Sequence, residues 1–298
     1  TVSEEMSGPE YSVGEVATLS DTSFLVVYPL DQRIVFYGPE LNVLRTIAFD
    51  SYGPTGVVEP GAATLAGDSI VYIADKSSHL LKRLDLDGRD RGSIRLDFAP
   101  EAVQASGESV LVSPLVVGGH PRWLVYDVSD GEAMHRRVPA MRITDGLLNV
   151  LANMSVTAAF PDGRVVVGHR FIVPFAHILT TGTAGEVQRV PIPLPAGLRA
   201  SLDALPEPPF DDSFARKVPT VLIDAAPDTR TGDLLYIVRT GRRVDDHFEK
   251  AIIRVDQDLA FRRAYLPGIN AVRLAYLAEH SLSIIADEED RWYICPTP

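Results

Sequence analysis

One short pattern returns six times along the chain: an apolar run, a small polar turn, then a second apolar run. Its clearest pair is Ala17-Thr18-Leu19-Ser20-Asp21-Thr22-Ser23-Phe24-Leu25-Val26-Val27-Tyr28 against Ala63-Thr64-Leu65-Ala66-Gly67-Asp68-Ser69-Ile70-Val71-Tyr72-Ile73-Ala74, offset by 46 residues. The same unit turns again at Ser106-Gly107-Glu108, at Pro161-Asp162-Gly163, from Pro227 to Asp233, and at Glu279-His280. The second runs begin near Phe24, Ile70, Val110, Val165, Leu234 and Leu282, with spacings of 46, 40, 55, 69 and 48 residues. They are rich in β-branched residues and continuous rather than alternating, which predicts strands buried on both faces. A unit repeated at this period sets the architecture of the whole chain.

A second hairpin follows each of the first five. Ile34 to Tyr37 turns at Gly38-Pro39-Glu40 into Val43-Leu44, and Leu81 to Leu84 turns at Asp85-Leu86-Asp87-Gly88 into Ser93-Ile94. Trp123 to Tyr126 turns at Ser129-Asp130-Gly131 into Met134, His177 to Leu179 at Thr183-Ala184-Gly185 into Val187, and Ile252 to Val255 at Asp256-Gln257-Asp258 into Phe261. Gly, Asp and Pro supply the backbone angles and local hydrogen bonds that tight turns require. The sixth unit ends after its third strand, Arg291 to Ile294. Four-stranded meanders of this kind predict one all-β domain, a six-bladed β-propeller. Its expected blades are 8–50, 55–98, 100–140, 147–195, 217–267 and 270–298, with 1–7 closing the ring as the missing strand of the last blade. Such closure pairs the chain ends and removes an open sheet edge. The Pro-rich link from Pro191 to Pro219 joins blades four and five, and the expected helical turn within it is Pro209 to Lys217.

Composition narrows the partners. Apolar residues make up 46% of the 298, which fits a packed globule rather than a disordered chain. The uncharged stretch Gly146 to Pro161 is too short to cross a bilayer. A formal net charge of -12 opposes polyanions, so nucleic acid is not an expected partner. A single cysteine, Cys295, excludes an intramolecular disulfide and a cysteine zinc site. The start at Thr1, without a methionine, fits removal of an export signal and fits a trimmed chain equally, so the compartment is open to both.

The second unit, Ile70-Val71-Tyr72-Ile73-Ala74-Asp75 followed by Leu84-Asp85-Leu86-Asp87-Gly88, resembles the NHL-type repeat, and the chain in outline resembles the six-bladed group that includes NHL, TolB-like and gluconolactonase-like propellers. That resemblance implies a site at the central channel. In the gluconolactonase-like members it would be a catalytic divalent ion, calcium by its hard oxygen ligands. Carried onto this sequence, the ligands would be Glu59 and Asn153. Fold alone implies little about chemistry.

The residues themselves direct attention to the face carrying the longer links between second and third strands and between blades, here the link face. His79, His120, His169, His177 and His247 fall on or beside those links. Second strands end in Tyr28, Asp75, Ser113, His169, Arg239 and Asp287, expected to ring the channel mouth. First-strand starts supply a second ring of Glu59, Glu101, Asn153, Lys217 and Arg273. Arg170, Arg239, Arg242 and Arg243 make a cationic sector suited to a carboxylate, phosphate or acidic side chain. Pairing of these arginines with Asp75, Asp245, Asp246 and Asp287 is the competing reading. The acidic run Asp287-Glu288-Glu289-Asp290 reads as a solvated loop. No nucleophile elbow, zinc-protease motif or phosphate-binding loop occurs.

The sequence therefore predicts a cofactor-free, non-catalytic propeller that binds a partner protein or small anionic ligand through Arg239, Arg170, His169, Arg242, Arg243, Asp75 and Asp287. Two alternatives stand beside it: a calcium-dependent lactonase or phosphoesterase, and a structural subunit exchanging strands at its termini. Closure within one chain predicts a monomer.

Overall fold

A computed structural model describes residues 15–50, 56–67, 69–106, 109–114, 123–127, 136–138, 154–171, 173–180, 187–204, 220–244, 247–287 and 291–297. Strands β1 (Val16–Ser20), β2 (Ser23–Tyr28), β3 (Arg33–Tyr37) and β4 (Val43–Ala48) form the first antiparallel sheet. The second comprises β5 (Pro60–Ala66), β6 (Ile70–Asp75), β7 (Leu80–Asp85) and β8 (Asp90–Arg95). The third comprises β9 (Pro100–Ser106), β10 (Ser109–Pro114), β11 (Trp123–Asp127) and β12 (Arg136–Val138), and the fourth β13 (Ser155–Ala159), β14 (Arg164–His169), β15 (Phe175–Thr180) and β16 (Gln188–Pro191). The fifth comprises β17 (Asp224–Pro227), β18 (Leu234–Val244), β19 (His247–Val255) and β20 (Phe261–Tyr265), and a last sheet holds β21 (Ala271–Leu277), β22 (Leu282–Asp287) and β23 (Trp292–Pro296).

The expectation of six complete blades is thus corrected. Five blades have four strands, and the last sheet has three among the described residues. The segment 1–7, expected to complete it, lies outside them.

Each second strand begins within one residue of its expected start, because the turn residues before it are unambiguous. These strands are also the most buried, and the reason lies in where the apolar clusters sit. Phe24, Val26 and Tyr28 of β2 pack against β21–β23 through Ala275, Ile284 and Trp292. Leu25 and Val27, on the opposite face of the same strand, pack against β5–β7 through Ala63, Val71 and Ile73. Tyr72 and Ala74 continue to Val103, Val110 and Val112 of the third sheet. Leu111 meets Val165 and Val167, the fourth and fifth sheets share the largest cluster, and the fifth and last share Leu235, Ile237, Leu274 and Ile285. Every core therefore lies between two sheets. Both faces of a strand are buried, each by a different neighbour, so the apolar run is continuous. Outer strands such as β4, β8 and β20 are mostly exposed.

Neighbouring inner strands are also joined by hydrogen bonds. The Ala105 amide donates to Thr64 Oγ1 (3.1 Å), Tyr276 N to Thr18 Oγ1 (3.2 Å) and Leu274 N to Asp224 Oδ2 (2.8 Å). On the face opposite the links, Arg254 pairs with buried Asp228 and with Asp233 (2.8 Å). Arg164 donates to the carbonyls of Gln257 (3.0 Å) and Gly232.

The link between the fourth and fifth sheets contains helix α1 (Ala196–Asp203), which the sequence reading did not include; the helical turn expected over Pro209 to Lys217 lies outside the described residues. Pro195 stands immediately before the helix, where its fixed φ and missing amide proton do no harm. Leu198 and Leu202, one turn apart, enter the cluster shared by those two sheets.

Candidate functional site

The inner strands converge on a central channel, and at its link-face end lies a cavity of about 210 Å³. Among the described residues its charged and amide lining consists of Glu15, Lys76, Glu101, Gln104, Arg170, Asp224 and Arg273. Glu15 precedes β1, Glu101 and Gln104 lie on β9, Asp224 starts β17 and Arg273 lies near the start of β21. Lys76 and Arg170 each follow directly on a second strand, β6 and β14.

The backbone fixes these groups. Arg170 N donates to Met154 O (2.8 Å), and its own carbonyl accepts from Val221 N (2.7 Å), so its corner is tied both to the start of its own blade and to the lead into the next. Its Nη2 reaches Ile223 O at 3.4 Å. Gly61 lines the cavity where any Cβ would lie 2.3 Å from Lys76 Cε. The bare backbone lets the Lys76 stem cross it to Glu101, at 2.9 Å. Asp224 accepts from the amides of Ala225 (3.0 Å) and Leu274 (2.8 Å). Glu15 Oε1 accepts from Gln104 Nε2 at 3.0 Å.

Burial changes the titration of three of these groups. Burial, and next the charge of Asp224, raise the Glu15 carboxyl to about 8, against the hydrogen bond from Gln104 and the charge of Arg273. Burial raises Asp224 to about 6, opposed by Arg273, by the amides of Leu274 and Ala225, and by Arg170. Burial, then the like charge of Arg273, lower the Arg170 guanidinium from its ordinary value. At neutral pH Lys76, Arg170 and Arg273 therefore face the carboxylates of Glu101 and Asp224, with Glu15 mostly protonated. The described lining is thus cationic by one charge in a chain of net charge -12.

Of the residues singled out by sequence, the structure brings Arg170, Glu101 and Arg273 to this cavity. The others stand elsewhere. Asp75 is buried at the corner after β6 and accepts from the amides of Val58 and Glu59 (both 3.0 Å) and from Ser78 Oγ. Asp287 occupies the matching corner of the last sheet and accepts from Arg291 N (3.0 Å), Arg291 Nε (2.8 Å) and Tyr293 Oη (2.9 Å). Both carboxylates lock turns. His169 is buried with its Nε2 3.4 Å from His177 Nδ1 and its ring edge-on to Phe175; burial and then Arg189 lower the pKa of His177.

Arg239 and Arg243 lie over the ring of Phe248, at 4.8 and 5.2 Å, where the β18–β19 hairpin extends toward the links, and Arg242 is 3.7 Å from Glu249. The Glu59 carboxylate accepts from Ser77 Oγ and is not part of the cavity lining. Asn153, His120, Lys217, Asp245, Asp246 and Glu288 to Asp290 lie outside the described residues. Among the described residues no group of three or more His, Cys, Asp or Glu is placed to hold a metal ion.

Sequence reasoning missed Glu15, Lys76, Gln104 and Asp224. The 46-residue offset held a signal for the first: carried two residues back from Ala17 and Ala63, it superposes Glu15 on Gly61, and both line the cavity. The ring position expected for Glu59 belongs to Gly61 because the pairing of β5 with β6 is irregular between Pro60 and Ala62.

No protein-family model matches the chain, and no curated protein matches it. Solved structures do. A member of the DUF4221 family from Bacteroides vulgatus superposes with a TM-score of 0.65 at 9% identity, covering 99% of this chain and 96% of that one. Virginiamycin B lyase from Staphylococcus aureus gives 0.57 at 12% identity, covering 97% and 82%. Hsv2 from Kluyveromyces lactis gives 0.56 at 12% identity, covering 94% and 72%. These likenesses establish the β-propeller fold. No helix among the described residues is long and apolar enough to cross a membrane.

Proposed function

We propose that the protein is a non-catalytic propeller that binds a small anionic ligand at the link-face mouth of its channel, with Arg170 as the principal contact and Arg273 beside it. The observation that carries this reading is the convergence of two arginines from different blades on one half-open cavity. The charge of Arg273 adds to the cost of burying that of Arg170, and an incoming anion relieves it. The reading also takes the segment 1–7 as the fourth strand of the last sheet, closing the ring within one chain.

Binding of acetate, lactate, succinate and inorganic phosphate, followed by calorimetry and by ligand-induced thermal shift, tests the site. Arg170→Ala is expected to weaken the tightest binder at least tenfold, as loss of a charge-assisted pair requires. Arg243→Ala, on the projecting hairpin, serves as the comparison. An unchanged affinity in Arg170→Ala together with a loss in Arg243→Ala would move the site to the hairpin and favour a partner protein with an acidic surface.

A further inference from the structure

We propose that this site, on the reading just given, selects a small monocarboxylate and takes it up with a proton that resides on Glu15. Three carboxyl groups face the one cavity, and the fold supports them unequally. Glu101 has Lys76 at 2.9 Å. Asp224 receives two backbone amides and lies in the fields of Arg273 and Arg170. The Glu15 carboxyl receives one hydrogen bond among the described residues, from the neutral amide of Gln104, and Asp224 and Glu101 repel its charge while Arg273 attracts it. A ligand carboxylate would be a fourth negative group in about 210 Å³. The least costly arrangement keeps Glu15 as the neutral acid, whose hydroxyl can donate to one ligand oxygen while the Arg170 fork holds the carboxylate.

The same count sets the ligand class. With Glu15 neutral, the charged groups facing it among the described residues are Lys76 and Glu101, Asp224, Arg170 and Arg273, which together carry one positive charge in excess. A monoanion neutralises it; a dicarboxylate or phosphate dianion overshoots. The two titrating groups act in separate windows. Asp224 protonates near pH 6 and adds to the attraction below it, whereas Glu15 gives up its proton near pH 8 and opposes binding above it.

Calorimetry on the full chain with lactate, acetate, succinate and phosphate between pH 6 and pH 10 tests this. The monocarboxylates should bind more tightly than succinate or phosphate at pH 7. Above about pH 8 their affinity should fall about tenfold per pH unit, the limit for one linked proton. Repeating the titration at pH 9 in buffers of different ionisation enthalpy should show uptake of about one proton per ligand, a measurement on the unmodified protein. Glu15→Gln, which fixes a neutral carbonyl-and-amide group there, should flatten the profile above pH 8. A flat profile in the wild type, no proton uptake at pH 9, or an unchanged slope in Glu15→Gln would overturn the role of Glu15 while leaving the anion site standing. Tighter binding of a dianion would overturn the ligand class, and no binding of any probe at any pH would overturn both this inference and the site on which it rests.

Discussion

Gly241 shows how a single residue ties the site's surroundings together. It has φ +84°, in the left-handed region, and a Cβ placed there would lie 2.7 Å from the Gly197 carbonyl carbon in the first turn of α1. In the same contact, a Cβ on Gly197 would lie 2.6 Å from Thr240 O. Two glycines face each other because helix and hairpin backbones touch. Gly241→Ala is expected to cost about 2 kcal/mol or more, from the unfavourable φ and from a neighbour that is backbone and cannot swing away. Urea denaturation checks this, and a loss under 0.5 kcal/mol would mean that the contact is loose. Among site residues, Arg170, Glu101 and Arg273 were legible because they sit at strand ends whose position the repeat defines. Asp75, Asp287 and His169 share that register, yet they serve turns and packing. Register tells where a side chain stands, and only the local hydrogen-bond partners tell what it does.

Elements were legible in proportion to their turn chemistry. The hairpins at Gly38-Pro39-Glu40, Asp85 to Gly88 and Asp256 to Asp258 are formed as expected. In the latter two, aspartates explain the fidelity: Asp85 accepts from the amides of Asp87 and Arg89 (both 2.9 Å), and Asp256 from those of Asp258 (3.1 Å) and Ala260 (2.9 Å). Helix α1 was not anticipated from the sequence, although two leucines one turn apart mark an apolar stripe over Ala196–Asp203. Those leucines anchor the helix, so Leu198→Ala should cost about 3 kcal/mol, the ordinary range for emptying a buried leucine site. The loss should be read by chemical denaturation. Stability within 1 kcal/mol of the parent would show that the helix merely rests on the core.

At the scale of the molecule, the repeat made the architecture legible, and the last sheet shows where it stopped being so. Five blades carry their own fourth strand, whereas β23 ends the last sheet among the described residues. If the segment 1–7 pairs there, its deletion should lower the melting temperature by several degrees and favour self-association through the uncovered edge of β23. Calorimetry and light scattering on the deleted chain read both effects, and an unchanged melting temperature with a monomeric mass would remove that segment from the fold. The electrostatics of the channel mouth were the least legible. Glu15 and Asp224 are more than two hundred positions apart, and their mutual repulsion exists only because two blades bring them to one axis.

The placement of every core between two sheets has a consequence for divisibility. Cutting the chain anywhere in 205–219 would leave fragments whose broken surfaces still match: the severed halves would each present one side of the cluster shared by Val166, Ile192, Tyr236 and Ile253. They would also present the two sides of the seam where Phe24 meets Trp292, 6.1 Å between ring centroids. Two such pieces hold complementary apolar faces at both ends. The continuity of the polypeptide is thus dispensable in principle, and the ring could be rebuilt from separately made arcs with the channel-mouth cavity restored only when they meet.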